Sequence, residues 1–181
     1  MIPTLLTTTT VSGTPSSVAI TSNIDSTYDE YMFNWSNILQ TAVNETWEFQ
    51  CSTDGGSNYD TTVTSTYFYS ENKDDNTTAT GLHYSTAKDQ AQGASFQALV
   101  YNLSANQNEG MAGTLHLFAP SNTTYVKHWY ARTHGFTDNN YIWTVYSAGY
   151  FNTTSAIDAI QFQLPTGTIY DGGFIQLYGI E

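Results

Sequence analysis

Four histidines are the side chains of this sequence best suited to bind zinc, and they are His83, His116, His128 and His134. The residues between His128 and His134 include no Cys, Asp or Glu, and Cys51 is the only cysteine. A cysteine-based zinc site and an internal disulfide are therefore both excluded. His116 alternates with Leu115 and Leu117, so on a strand it lies on the opposite face from them. The pattern favours surface or interface histidines over a metal site.

Carboxylates are the second candidate chemistry, because a pair of them across a cleft can hydrolyse a glycosidic bond. The candidate acids are Asp25, Asp29, Glu30, Glu45 and Glu48. Their spacing does not place any two on opposite sides of one cleft, and Glu48 occupies the outward register of an alternating strand. The chain also lacks a Gly-x-Ser-x-Gly nucleophile motif and a glycine-rich phosphate loop. We therefore expect a protein that is not an enzyme.

Two loops carry enough oxygen ligands to hold Ca²⁺, and neither follows the twelve-residue EF-hand pattern. The first loop offers Asp54, Asn58 and Asp60, and the second offers Asp74, Asp75 and Asn76. Asp and Asn are also the usual residues of tight turns, where their side chains accept hydrogen bonds from nearby backbone. Turn chemistry is the favoured interpretation, so we expect no cofactor, with Ca²⁺ as the alternative.

A segment with bulky side chains on both faces is the candidate assembly interface. If residues 125–132 form a strand, Tyr125, Lys127 and Trp129 share one face, whereas His128, Tyr130 and Arg132 share the other. Trp143 and Ile142 point opposite ways in the same manner. A two-layer sandwich buries one face of each strand, so the second face is expected to meet another subunit or a ligand. The predicted interface residues are Tyr125, Lys127, His128, Trp129, Tyr130, Arg132 and Trp143.

Composition indicates that strands position these residues. The chain has 29 Thr, 14 Tyr, 16 Ser, 14 Asn and 13 Gly, which are residues of strands and of turns. Trp47, Phe49 and Cys51 alternate with polar residues, and about ten such segments follow one another between turn signals. The sequence therefore predicts an all-β fold, an antiparallel β-sandwich of jelly-roll type, as one domain over residues 16–181.

The first 15 residues are rich in Thr, end in Gly-Thr-Pro, and are predicted to form an extended N-terminal arm. Such an arm can add a strand to the sheet edge of a neighbouring molecule. Its apolar residues Leu5, Leu6 and Val11 are the predicted contacts.

Charge excludes several classes of partner. The chain has four Lys and Arg against 16 Asp and Glu, for a net charge of -12, so it has no basic face for nucleic acid. Its longest apolar run is four residues, 98–101, so no membrane span is expected. No Lys or Arg precedes Lys73, so no secretion signal is expected. Unpaired carboxylates are tolerated best where salt screens them.

Four stretches carry a family resemblance: residues 49–59 (FQCSTDGGSNY), 113–118 (GTLHLF), 149–157 (GYFNTTSAI), and the ending from 160–162 (IQF) to 173–180 (GFIQLYGI). Together they resemble virion structural proteins of marine tailed bacteriophages, including those that infect cyanobacteria and SAR11-type hosts. The resemblance covers roughly residues 30–180. It implies a structural role in a particle that is assembled in the cytoplasm of a host bacterium.

The predicted function is therefore that of a capsid decoration or cement protein on the outer surface of the virion. It would bind the major capsid protein, as a homotrimer, and stabilise the assembled shell by burying surface across neighbouring subunits. A tail-fibre, head-fibre or receptor-binding tip is the alternative within virions. A carbohydrate-binding module that stacks Trp129 or Trp143 on a host surface glycan is the alternative of a different class, and a hydrolase is the third.

Overall fold

The computed structural model describes residues 2–75 and 80–181, and in these ranges the chain folds into strands joined by turns. In chain order the strands are β1 (Thr4–Thr10), β2 (Ser17–Ile20), β3 (Glu30–Ile38), β4 (Glu45–Ser52), β5 (Val63–Lys73), β6 (Gly81–Tyr84), β7 (Ala91–Gly93), β8 (Gln97–Leu103), β9 (Met111–Phe118), β10 (Lys127–Phe136), β11 (Tyr141–Phe151), β12 (Ala159–Gln163) and β13 (Phe174–Ile180). A single 3₁₀ turn, Thr86–Lys88, is the one helical element of the described residues. It is too short to cross a membrane.

The strands form two antiparallel sheets, which confirms the predicted all-β sandwich. The large sheet has nine strands in the order β1-β13-β3-β9-β10-β11-β5-β6, with β7 also paired to β5. The small sheet has four strands in the order β2-β12-β4-β8. Every pairing in both sheets is antiparallel.

The strand order is that of a jelly roll with additions. Eight strands form the roll in chain order: β2, β3, β4, β5, β6, β8, β9 and β12. In the order of pairing, the small sheet contains the first, eighth, third and sixth of these strands, which are β2, β12, β4 and β8. The large sheet contains the second, seventh, fourth and fifth, which are β3, β9, β5 and β6. The hairpin of β10 and β11 is inserted between β9 and β5, which places these two strands in the middle of the large sheet. Strands β13 and β1 extend the sheet beyond β3.

The core is a layer of aromatic rings between the two sheets. Phe162 of the small sheet stacks on Trp47 with ring centroids 5.7 Å apart. Phe49 meets Trp129 of the large sheet edge to face at 5.0 Å. These rings are buried because the inward positions of both sheets are apolar, and each fully buried large side chain contributes roughly 1.5–3 kcal/mol.

Two glycines allow strands of the large sheet to lie close to the core aromatics. A Cβ built on Gly149 would lie 2.3 Å from the carbonyl oxygen of Thr64 and 3.0 Å from the ring of Trp129. A Cβ built on Gly113 would lie 2.6 Å from the ring of Trp35. Any larger residue at either position would push the strands apart.

The N-terminal segment differs from the prediction of an arm outside the sheets. Residues 4–10 form β1, which pairs with β13 along the edge of the large sheet, and Val11 is buried in the core. The Val11 amide donates to the carbonyl of Gly173 at 2.7 Å, which fixes the end of the segment to the body. The Thr-rich composition that suggested an arm is equally suited to an edge strand, because β-branched residues favour extended backbone.

Candidate docking surface

The outward-pointing residues of the large sheet form a continuous surface, which we call the outer face. Antiparallel register places one residue from each of eight strands side by side across it. This first row reads Tyr84, Phe68, Tyr146, Arg132, Thr114, Asn34, Gln176 and Thr8. Strands are spaced about 4.8 Å apart, so the row is about 33 Å wide.

The neighbouring row lies about 7 Å away, which is the rise of two strand residues. It reads Thr66, Ala148, Tyr130, His116, Met32, Tyr178 and Leu5. Aromatic rings stack between neighbouring strands: Phe68 on Tyr146 at 5.3 Å, and His116 on Tyr130 at 4.6 Å between centroids. The rings are therefore held in fixed positions on the surface.

Large apolar side chains are unusually exposed on this face. Those that point outward and remain at least one third exposed are Leu5, Phe68, Leu82, Tyr84, Tyr130, Ile142 and Tyr146. Tyr, Phe, Met and Arg are enriched in the cores of protein–protein interfaces, whereas Lys, Glu and Asp are depleted there. The outer face has this composition, with Arg132 in the first row, Met32 in the second and Phe118 opposite Glu30 in the next row.

Acidic residues are nearly absent from the outer face, although the whole chain carries 16 of them. Among the described strands of the large sheet, Glu30 is the one carboxylate at an outward position, and it contacts Nδ1 of His116. Glu71 belongs to the same sheet but points inward, where it accepts a hydrogen bond from the indole of Trp143 at 3.0 Å. The protein's surplus negative charge is therefore directed away from this face.

Two shallow depressions lie side by side on the outer face. The first is an apolar groove of about 220 Å³ between Tyr130 on one side and Phe68 and Tyr146 on the other, with Ala148 and Thr66 at its base. The second is a polar pocket of about 200 Å³ lined by Asn34, Ala112, Gly113, Thr114, Arg132 and His134. Small residues line both depressions: Ala148 and Thr66 in the groove, and Ala112 and Gly113 in the pocket.

Three of the predicted interface residues lie on the outer face. His128, Tyr130 and Arg132 alternate along β10 with buried residues and are exposed, as their register predicted. Tyr125 lies two residues before the start of β10 and is 70 % exposed.

The other three predicted interface residues are buried, which corrects the sequence prediction. Trp129 is 2 % exposed and Trp143 is 6 % exposed, because both point inward from the middle of the large sheet. Trp129 packs on Phe49, and Trp143 packs on Tyr69 with ring centroids 4.3 Å apart. Neither ring has a free face on which a sugar could stack, so the prediction that a glycan stacks on Trp129 or Trp143 is wrong.

Lys127 is the third, and it is fully buried at the start of β10. Its Nζ donates to the carbonyls of Tyr125 at 3.1 Å and Thr153 at 3.2 Å. Burial lowers the pKa of this ammonium below its ordinary value, because the charged form loses its hydration. Lys127 therefore closes a loop end and does not contact solvent.

The predicted contacts of the N-terminal segment divide in the same way. Leu5 is exposed on the outer face of β1, whereas Val11 is buried. Leu6 lies at a register shift in the pairing of β1 with β13, and it packs against the core. Of these three predicted contacts, Leu5 is the one that is exposed and so can contact another molecule.

Several outer-face residues were not among the predicted site residues, chiefly Phe68, Tyr146 and His116. For Phe68 the signal was present in the sequence, because residues 67–69 are Tyr-Phe-Tyr and so are bulky on both faces. The same criterion that selected β10 would have selected β5.

The first predicted calcium loop is a turn stabilised by its own side chains. The Asp54 carboxylate accepts hydrogen bonds from the Asn58 amide group at 2.7 Å, from the Asn58 backbone at 2.9 Å and from Ser52 at 2.7 Å. These bonds lower the pKa of Asp54 from 3.8 to about 2, with the Asn58 side chain as the largest cause. In the second loop, Asp75 pairs with Lys73 at 3.0 Å, and Asn76 lies outside the described residues. Within the described ranges, no three His, Cys, Asp or Glu side chains are grouped as a metal site.

The candidate catalytic acids occupy different environments. Glu45 is buried and contacts the Thr166 hydroxyl, and Asp25 accepts a hydrogen bond from Tyr31 at 2.9 Å. Glu48 borders a cavity of about 550 Å³ on the small-sheet side, together with Lys88 and Asp89. Burial raises the pKa of Glu48, while its hydrogen bond from Gln163 opposes the shift.

Comparison with known proteins gave no relatives: no family model, no curated protein and no solved structure matches this chain. The chemistry of the outer face is therefore the guide to its function.

Proposed function

We propose that this chain is a non-enzymatic structural protein of a tailed-phage virion, a capsid decoration protein that docks through the outer face of its large sheet. The observation that supports this proposal is the combination of exposed, mutually stacked aromatics with a nearly acid-free surface on a chain of net charge -12. The resemblance of residues 49–59, 113–118 and 149–157 to marine phage virion proteins supports the same role.

The dimensions of the outer face suit a stable contact. A surface about 33 Å wide, with strands of up to 11 residues, offers on the order of 800 Å². One partner of a standard protein–protein interface buries about the same area. Docking only to the assembled shell would stabilise that state by mass action, and a homotrimer would multiply the contact.

Electron microscopy of the particle tests the proposal directly. We expect density for this fold on the outer capsid surface, in hundreds of copies, with the large sheet toward the shell protein. Fewer than about twenty copies at the tail would instead indicate a fibre or a receptor-binding tip. Absence from the purified particle would refute a virion role.

Substitution on the outer face tests the docking surface. The double variant Tyr130→Ser with Tyr146→Ser should lose attachment to particles while keeping its fold. Val43→Ser is the matched control, because Val43 is also exposed but lies in the turn between β3 and β4. Equal attachment of both variants and the wild type would refute docking through this face.

Glycan binding is the second candidate, and the groove between Tyr130 and Tyr146 is the observation that favours it. Sugars stack on exposed aromatic rings, and these two rings are exposed where Trp129 and Trp143 are not. A glycan array that detects binding, with loss in Tyr146→Ala, would support a host-glycan reader.

A further inference from the structure

The polar pocket on the outer face brings together four hydrogen-bonding side chains from three strands. Asn34 of β3, Thr114 of β9 and Arg132 of β10 are direct cross-strand neighbours, and His134 follows Arg132 on the same face. All four border one pocket of about 200 Å³. Because Ala112 is the cross-strand partner of His134, the centre of the pocket stays open.

None of these four side chains has a hydrogen-bond or ion-pair partner within the described ranges of the chain. The other three cations are all engaged: Lys73 with Asp75, Lys88 over the ring of Tyr101, and Lys127 with two backbone carbonyls. Arg132 is therefore the free cation of the described residues, in a chain that has four times as many acids as bases.

The four side chains suit an oxyanion as ligand. A guanidinium presents a planar fork of N–H donors that fits the two oxygens of a carboxylate. The Asn34 amide, the Thr114 hydroxyl and a ring N–H of His134 can each donate one further hydrogen bond. Glu30, the one acid at an outward strand position, is engaged with His116 and does not occupy the pocket.

We propose that the Arg132 pocket binds a side-chain carboxylate of the protein on which the outer face docks. This inference rests on the proposed function. Arg132 lies directly opposite Tyr146, so the pocket adjoins the apolar groove, and a partner would present a carboxylate beside an apolar side chain. A free anion would be repelled by the net charge of -12, whereas a carboxylate on a docked protein is held at the pocket by the surrounding contacts.

Three charge variants test the pocket in an attachment assay with particles that lack this protein. Arg132→Gln should weaken attachment roughly tenfold or more, because it leaves the partner's carboxylate unpaired in the interface. Arg132→Lys should fall between Gln and the wild type, because it keeps the charge and loses the fork. Lys73→Gln is the control for a lost positive charge, because its ion pair with Asp75 lies off the outer face, and it should attach normally.

The outcomes separate this inference from the proposed function. If Tyr130→Ser with Tyr146→Ser loses attachment but Arg132→Gln does not, the docking face stands and the carboxylate pocket is refuted. If all these variants attach normally, the docking face itself is refuted. Equal losses for Arg132→Gln and Lys73→Gln would mean that net charge matters and the pocket does not.

A direct measurement uses acetate as the probe of the isolated chain. Titration at a constant, high ionic strength, which screens the repulsion of a free anion by the net charge of -12, is followed by NMR of the arginine side-chain N–H groups. It should give saturable shifts at Arg132 that are absent in Arg132→Gln. Linear shifts without saturation would overturn the proposal. A third outcome is that retention on dextran sulfate depends on Arg132 while Arg132→Gln attaches to particles normally. That result would indicate an acidic glycan as the ligand and would overturn the proposal that the pocket binds a carboxylate of a protein.

Discussion

Phe68 and Tyr146 lie directly opposite each other on β5 and β11, and their rings stack in the solvent with centroids 5.3 Å apart and planes 14° from parallel. Stacked aromatics in a sandwich normally lie between the sheets. Here the pair lies on the outer face, at the wall of an apolar groove beside Arg132. A contact of this kind holds two large rings in a fixed position for a partner, at little further cost in side-chain entropy on binding.

Substitutions at two adjacent residues of β10 should differ strongly in their effect on the stability of the fold. Trp129→Ser should lower the free energy of unfolding by roughly 3–5 kcal/mol, because it empties a site in the aromatic core. Tyr130→Ser should change stability by no more than about 1 kcal/mol, because this ring is 45 % exposed on the surface. Urea unfolding followed by circular dichroism measures both variants, and similar losses would contradict the assigned faces.

The neighbouring leucines of β1 provide a matched pair that tests whether the N-terminal segment belongs to the sheet. Leu6→Ala should lower the free energy of unfolding by about 1–2 kcal/mol, since Leu6 packs against the core. Leu5→Ala should change it by less than about 0.5 kcal/mol, since Leu5 is exposed. Thermal unfolding compares the two variants. If Leu6→Ala were as neutral as Leu5→Ala, the segment would act as a free arm.

The turn at Asp54 should make part of the stability depend on pH in acid. The folded-state pKa of Asp54 is lowered from 3.8 to about 2, so the folded protein keeps this carboxylate charged where the unfolded chain protonates it. The contribution is complete above pH 3.8 and is lost as the pH falls through about 2. The stability difference between wild type and Asp54→Ala should therefore shrink over this interval in chemical unfolding. A difference that stays constant with pH would rule out the charged turn.

Gly149 should be intolerant of even one methyl group. Gly149→Ala should cost about 2–3 kcal/mol, because the new Cβ would meet backbone of β5 on one side and Trp129 on the other. Gly110→Ala is the control, because its Cβ would meet neighbours only at 3.4 Å or beyond, at ordinary contact distance. Melting temperatures of the two variants check this. Equal melting temperatures would mean that β5 and β11 are not packed as closely as the structure has them.

Local sequence patterns were enough to predict the fold class and the two faces of the strands. Alternation along residues 125–132 assigned Trp129 and Tyr130 to opposite faces, and His116 was separated correctly from Leu115 and Leu117. These results follow from the two-residue period of an extended chain, which is a local property.

Which of the two faces is covered depends on how distant strands are arranged in the folded protein. Because β10 and β11 are inserted in the middle of the large sheet, the small sheet packs against the Trp129 side, and the Tyr130 side stays open. The pocket likewise depends on strand order, since Asn34 and Arg132 come within one row only when β3, β9 and β10 are neighbours. Local alternation carries no information on which distant strand pairs with which, because that choice is made by the packing of the whole core.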